Sequence, residues 1–112
     1  MSNPVNCEAL LHDLITKLNP DAAKALSVDI QFIFSGLDPE DWYLSIRNGQ
    51  CTLHKGIVNF ANLTIRVDKN VWHAIQSGRT SWAEAMMQRK FIATGNMPLL
   101  ARLPQIFGIG QS

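Results

Sequence analysis

The 112-residue chain has only two cysteines, Cys7 and Cys51, and they fall in no C-x-x-C pair and no Cys/His cluster. A zinc site is therefore not indicated, and both thiols are expected to be reduced, buried small hydrophobes in a reducing compartment such as the cytoplasm. No apolar run reaches about 18 residues, so no membrane-spanning helix is expected. The first residues show no basic segment followed by an apolar one, and no secretory signal is expected. H-E-x-x-H, G-x-S-x-G and Gly-rich phosphate loops are all missing. His12, His54 and His73 fall in three different elements without a shared short spacing. No serine or cysteine stands beside a base, so neither catalytic residues nor a metal nor another cofactor is expected. There is no Lys/Arg run and no basic-aromatic strip, which sets nucleic acid aside as a partner.

Acidic residues are scarce in one part only. Residues 1–68 carry five Lys/Arg against eight Asp/Glu, whereas residues 69–112 carry five Lys/Arg against Glu84 alone. The overall charge is +1, but the last third is basic. Such a segment suits an anionic head group or an anionic membrane surface, and equally an ordinary solvated helix face. Hydrophobic residues make up 46% of the chain and charged ones 17%, which fits one globular domain over residues 1–112.

Periodicity predicts the elements in order. Cys7, Leu10, Leu11, Leu14, Ile15 and Leu18 form one apolar stripe of a helix from about Pro4 to Leu18. Asn3 is its expected cap and Pro4 its first turn, and Asn19-Pro20 is expected to end it. Asp21 to Leu26 adds a further helical turn. Val28, Ile30, Phe32 and Phe34 alternate with polar residues as a half-buried strand, broken on the polar side by Ile33. The acids Asp38, Glu40 and Asp41 with Pro39 read as a turn. Trp42, Leu44 and Ile46 give a second strand, Asn48-Gly49 a hairpin corner, and Gln50 to Lys55 a third strand. Leu63, Ile65 and Val67 give a fourth. Asp68 caps a helix from Lys69 to Ser77 that Gly78 terminates. Thr80 or Ser81, answered by Glu84, caps another. Strands followed by helices grouped at the ends predict an α+β domain, one helical layer on one sheet.

The segment from Ser81 to Phe107 holds the rest. Trp82, Ala85 and Met86 share one helical face, and Phe91-Ile92-Ala93 forms a short strand stopping at Gly95-Asn96. Met97, Leu100, Leu103 and Phe107 form a final apolar stripe. Three of the four methionines fall here. Their unbranched thioethers suit either core filling or the wall of a pocket.

The order of motifs resembles the sterol carrier protein type-2 domain family, in its bacterial form, over nearly the whole chain. The resemblance rests on Phe32-Ile33-Phe34-Ser35-Gly36, Trp42 to Gly49, Leu63 to Asp68, Ile75-Gln76-Ser77-Gly78 and Ala85 to Asn96. It implies a five-stranded mixed, mainly antiparallel sheet covered by helices, with an apolar tunnel between the layers. It also implies non-catalytic binding of a sterol, fatty acyl chain or isoprenoid lipid. Phe32, Phe34, Leu44 and Ile46 would supply the sheet wall of that tunnel. Trp82, Met86, Met87 and Phe91 would supply its middle, and Met97, Leu100, Leu103 and Phe107 its closing helix. Arg79, Arg89, Lys90 and Arg102 are the expected contacts for a head group or an anionic membrane. The alternatives are a scaffold that presents quinone precursors to protein partners in lipid metabolism, and an interaction domain whose cavity is filled by its own side chains. Two positions depart from the family pattern. Arg89-Lys90 stands where Gly-Lys is usual before the last strand, and Gly95-Asn96 where Gly-Asp is usual after it. The last residues, Gly110-Gln111-Ser112, are not the peroxisomal Ser-Lys-Leu address.

Overall fold

The computed structural model describes residues 6–108. Its elements are α1 (Cys7–Thr16), α2 (Pro20–Ala23), β1 (Ser27–Ser35), β2 (Glu40–Arg47), β3 (Gln50–Lys55), β4 (Leu63–Asp68), α3 (Lys69–Gln76), α4 (Trp82–Met87), β5 (Phe91–Gly95) and α5 (Met97–Phe107). The strands form one sheet in the order β3-β2-β1-β4-β5. Only β1 and β4 run parallel; the other three pairings are antiparallel. The sheet is therefore the mixed, mainly antiparallel one expected of the sterol carrier type, and the domain is α+β.

Register decides which side chains share a face. Phe32 stands level with Trp42 on one neighbour and Ile65 on the other, and Ile30 level with Leu44 and Leu63. Because the pleat repeats every two residues, this aligns Ile30, Phe32, Phe34, Trp42, Leu44, Ile46, Leu63, Ile65, Val67 and Phe91 on one side. All of them are buried. The helices cover this side, and the T-shaped packing of Trp72 from α3 on Phe32, centroids 5.1 Å apart, marks the junction of the two layers.

The opposite side is mainly polar, with Ile33 and Ile92 among its residues, and one of its polar side chains is buried. Gln31 is buried because the crossover from β3 to β4 runs over it. Its amide nitrogen donates to the Trp42 and Gly56 carbonyls at 3.1 and 3.0 Å, and its oxygen accepts from the Val58 N–H at 2.8 Å. Both the nitrogen and the oxygen of the amide are engaged, and the bonds to Gly56 and Val58 hold the loop on the sheet.

Helix starts follow capping chemistry. Asn6, Asn19, Asp68, Ser81 and Asn96 each accept an N–H from the first turn of α1, α2, α3, α4 and α5. Asn6 caps the described start of the first helix; the expected Asn3 cap and Pro4 lie outside the described residues. The first helix also ends earlier than its apolar stripe suggests, at Thr16. Lys17 and Leu18 close it with short-range bonds to Leu14 and Ile15, and the Asn19 N–H then turns away to the Ile106 carbonyl at 2.7 Å. Glu40 and Asp41 belong to β2 rather than to the turn before it, because both pair with β1 opposite Phe34 and Ile33. The last strand likewise runs to Gly95, which pairs with Leu63.

Candidate ligand-binding site

The twelve residues expected to line an apolar site separate into three groups. Phe32, Phe34, Leu44, Ile46, Phe91, Leu100, Leu103 and Phe107 are buried members of one continuous core cluster. Trp82 is half-buried against that cluster. Met86, Met87 and Met97 are instead 40%, 86% and 41% exposed. Of Trp82, Ala85 and Met86, which were expected to share one helical face, only Ala85 is fully buried. A six-residue helix makes fewer than two turns, too short to lay a full stripe on the sheet.

The final helix differs from its predicted stripe in the same way. Leu99, Leu100, Leu103, Ile106 and Phe107 face the core, and Met97 sits at the exposed first turn. Leu99 and Ile106 were missed because only the spacing from Met97 was followed. Starting at Leu99 gives offsets of one, four, seven and eight, the wider stripe of a surface helix.

Beneath α4 lies a row of aromatic rings. Trp72 stacks on Phe91 with centroids 6.4 Å apart, and Trp82, the first residue of α4, tilts against Phe91, also at 6.4 Å. The fully buried Trp72 indole N–H has no acceptor among the described residues. Burying an unpaired donor of this kind costs about 1–3 kcal/mol.

Two clefts adjoin one another, and none of these three rings lines either. The larger, about 400 Å³, is lined by Arg66, Arg89, Lys90, Ser35 and Asp68 over a floor of Val67, Val71 and Ile92. The smaller, about 260 Å³, lies between α3 and α4, with Ala74, Ala85 and Thr80 in its wall. Val71 and Lys90 belong to both. Of the four basic residues singled out from the sequence, Arg89 and Lys90 meet here, while Arg79 and Arg102 do not line either cleft. Arg79 lies instead against His73, 3.4 Å from its Nδ1. Arg66 was missed, although its place was legible. It is an outward-facing position of β4, level with Ile33 and Ile92 on the neighbouring strands.

Arg89 adopts φ +60°, a left-handed conformation. It closes α4: the Arg89 N–H donates to the Met86 carbonyl at 3.0 Å and the Lys90 N–H to Ala85 at 2.8 Å. This is the helix stop in which glycine is usual, and a side chain there costs about 1 kcal/mol. Lys69, by contrast, does not add free positive charge. Its ammonium lies 2.9 Å from Glu40, whose other oxygen accepts the Trp42 indole N–H at 3.1 Å. The hydrogen bond from Lys69 holds the Glu40 carboxyl below its ordinary range, and Glu40 in turn raises Lys69. Both cysteines are free thiols. Burial, with the nearby Glu40 charge second, pushes Cys7 up to about 11, and burial alone takes Cys51 to about 12.

Among the described residues no group of three or more His, Cys, Asp or Glu is placed to hold a metal ion. No described helix is long and apolar enough to cross a membrane.

Three comparisons place this geometry. A synthetase of 5-formaminoimidazole-4-carboxamide ribonucleotide from Methanosarcina barkeri is 35% identical over 74 residues, covering 62% of this chain and 21% of its own. The inverting sec-alkylsulfatase Pisa1 from Pseudomonas sp. superposes with a TM-score of 0.75 at 22% identity, over 84% of this chain and 15% of that one. The chain thus spans about a fifth or less of these two proteins. Sterol carrier protein 2-like 2 from Aedes aegypti superposes with a TM-score of 0.72 at 16% identity, over 88% of this chain and 94% of that one. The sterol carrier fold is accordingly present over most of this chain. Residues 1–110 match the alkyl sulfatase C-terminal family, and the chain belongs to it.

Proposed function

We infer that this chain is a non-catalytic lipid-binding domain that receives the apolar tail of an amphiphile beneath α4. The observation that carries this reading is the shallow seat of that helix over an aromatic row. Ala85 is the one α4 side chain fully buried, and the exposed Met86 and Met87 follow it directly. Such a short element opens at small cost, and thioethers adapt to whatever chain enters below them. Trp72, Phe91 and Trp82 would form the floor of the tunnel, and the unpaired Trp72 N–H would meet a polar atom of the ligand.

The scale is adequate. Burying a 16-carbon chain gains up to about 12 kcal/mol, against association and ordering costs of about 4–15 kcal/mol. The surplus is small enough for release, which a carrier requires.

A second reading is favoured by chain length. Because the matched segment is 15% of the Pseudomonas sulfatase, the domain would present its amphiphile to a catalytic partner rather than move it between membranes. One experiment addresses both. Organic extraction of purified protein followed by mass spectrometry should release a monomeric amphiphile, and a fluorescent acyl probe should bind stoichiometrically. Vesicle-to-vesicle transfer supports the carrier, whereas binding without transfer supports presentation. Protein that is repeatedly empty and does not bind the probe contradicts both.

A further inference from the structure

We propose that the outer face of the sheet is a self-association surface, on which two copies of this chain pack about a two-fold axis through Ile33. That face lies away from the helices, so the pairing is independent of what lies beneath α4.

Strand register sets out the surface. One level of the sheet runs from edge to edge as Gly56, Asp41, Ile33, Arg66 and Ile92. The Gly56 N–H donates to the Asp41 carbonyl at 2.8 Å, and Asp41 pairs with Ile33. Ile33 in turn pairs with Arg66, and Arg66 with Ile92. The chain neighbours Trp42, Phe32, Phe34, Ile65, Val67 and Phe91 are buried under the helices, so the side chains of this level point outward. Asp41 and Ile33 are half-buried, and Arg66 and Ile92 are exposed.

The order along this level is complementary to its own reverse. Asp41 and Arg66 stand one strand to either side of Ile33, with Gly56 and the 51% exposed Ile92 one strand further out. A two-fold axis parallel to the strands and above Ile33 reverses the strand order in the facing copy. Asp41 then faces Arg66 of the second copy, and Arg66 faces the second copy's Asp41. Ile33 meets Ile33, and Ile92 falls over a glycine. An axis above Asp41 or Arg66 would set like charges together, and one perpendicular to the strands would oppose each residue to itself. Both charges are available, for neither has an ion-pair partner within 4.0 Å among the described residues. Within one chain Ile33 separates them by two strand spacings, about 10 Å.

The crossover between β3 and β4 fits the same axis. Held by Gln31, it lies over the β2–β1 half of the outer face and leaves the β4–β5 half open. The two-fold sets the second copy's crossover over that open half, so the two loops lie side by side. Exposed apolar surface is already on the loop, at Ile57 and the 87% exposed Phe60. Such an isologous contact buries apolar area together with two ion pairs.

Sedimentation equilibrium of the whole chain from about 1 μM to 1 mM should show a monomer–dimer equilibrium that weakens as salt is raised. Asp41→Lys and Arg66→Glu each set like charges across both contacts and should raise the dissociation constant about tenfold or more. An equimolar mixture of the two variants restores opposite charges at both contacts and should form a heterodimer about as tight as the native dimer. Both substitutions in one chain should likewise restore self-association. Lys24→Glu, which alters the net charge as much as Arg66→Glu but at the end of α2, should leave association unchanged. Circular dichroism confirms that each variant is folded. A native chain that is monomeric throughout overturns the proposal, and one that is monomeric yet sediments with anionic vesicles gives the face to a membrane and overturns it too. Single variants that dimerise like the native chain place the association elsewhere and overturn it. A mixture that stays monomeric overturns the axis through Ile33, as does equal weakening by Lys24→Glu.

Discussion

Lys69 Nζ lies 2.9 Å from Glu40 Oε2, tying the first turn of α3 to the start of β2. The pair fixes where α3, and with it Trp72, sits on the sheet. Glu40 is held below its ordinary value of 4.5, chiefly by the hydrogen bond from Lys69. Its contribution to stability is therefore complete above that value and disappears as pH falls through the lower folded one. Lys69 is held above 10.5 by Glu40, so its contribution is complete below that value and disappears as pH rises past the folded one. The contribution of this pair is flat between pH ~5 and ~10 and falls on both sides, while the raised Cys7 and Cys51 thiols make the whole chain lose stability from their ordinary value of 9.0 upward. Glu40→Gln should reduce stability on the plateau and soften the acid limb, read as urea midpoints against pH. An acid limb identical to that of the native chain would assign the acid sensitivity to other carboxylates.

Arg89→Gly should raise stability. Relief of the left-handed arginine is partly offset by the extra freedom of glycine in the unfolded chain, leaving a gain of about 0.5–1 kcal/mol. Urea denaturation reads it directly. A loss of stability would mean that the arginine side chain contributes packing that outweighs its backbone strain.

Gly95→Ala should do the reverse. Gly95 has φ +110°, and a Cβ built there meets the Asn62 carbonyl oxygen at 2.6 Å. The same carbonyl accepts the Asn96 N–H at 2.8 Å, so it cannot move aside without freeing the start of α5. A loss of about 2–3 kcal/mol is expected, as for other clashes with backbone in a strained region. A melting temperature within a degree or so of the native one would show that the corner is softer than its geometry.

Met86→Gln and Leu100→Gln separate binding from folding. Met86 is 40% exposed and Leu100 only 7%. Leu100→Gln buries an amide and should cost about 1–3 kcal/mol of stability. Met86→Gln should leave the melting temperature nearly unchanged while weakening an acyl probe several-fold. Full probe affinity in folded Met86→Gln protein would remove Met86 from the site.

Much of this fold could be read from the sequence because the core-facing positions of the strands recur every second residue. Phe32-Phe34, Leu44-Ile46 and Ile65-Val67 announce both the strands and their buried side, and Asn48-Gly49 announces the hairpin corner. Asp68, Ser81 and Gly78 announce helix ends through capping chemistry that is local by nature. Pairing order was not local: β4 runs parallel to β1 after a crossover whose Gly56 and Val58 are held by Gln31, a role no periodicity reveals. The site was harder to read for the same reason. Arg66 lies more than twenty residues from Arg89 and meets it only once β4 and β5 pair. Met86 and Met87 read as core or pocket wall because composition cannot say how short a helix will be, and a short α4 leaves them outside.

The claim that an apolar tail lies beneath α4 is tested most directly by nuclear magnetic resonance. Decyl phosphate would be titrated into protein carrying isotope-labelled methionine methyls and tryptophan indoles. The Met86 and Met87 methyls and the Trp72 and Trp82 indole N–H signals should shift together and saturate at one equivalent. Trp72 should move most among the indoles, because its N–H gains an acceptor. Bound probe that leaves all four signals in place would contradict the account.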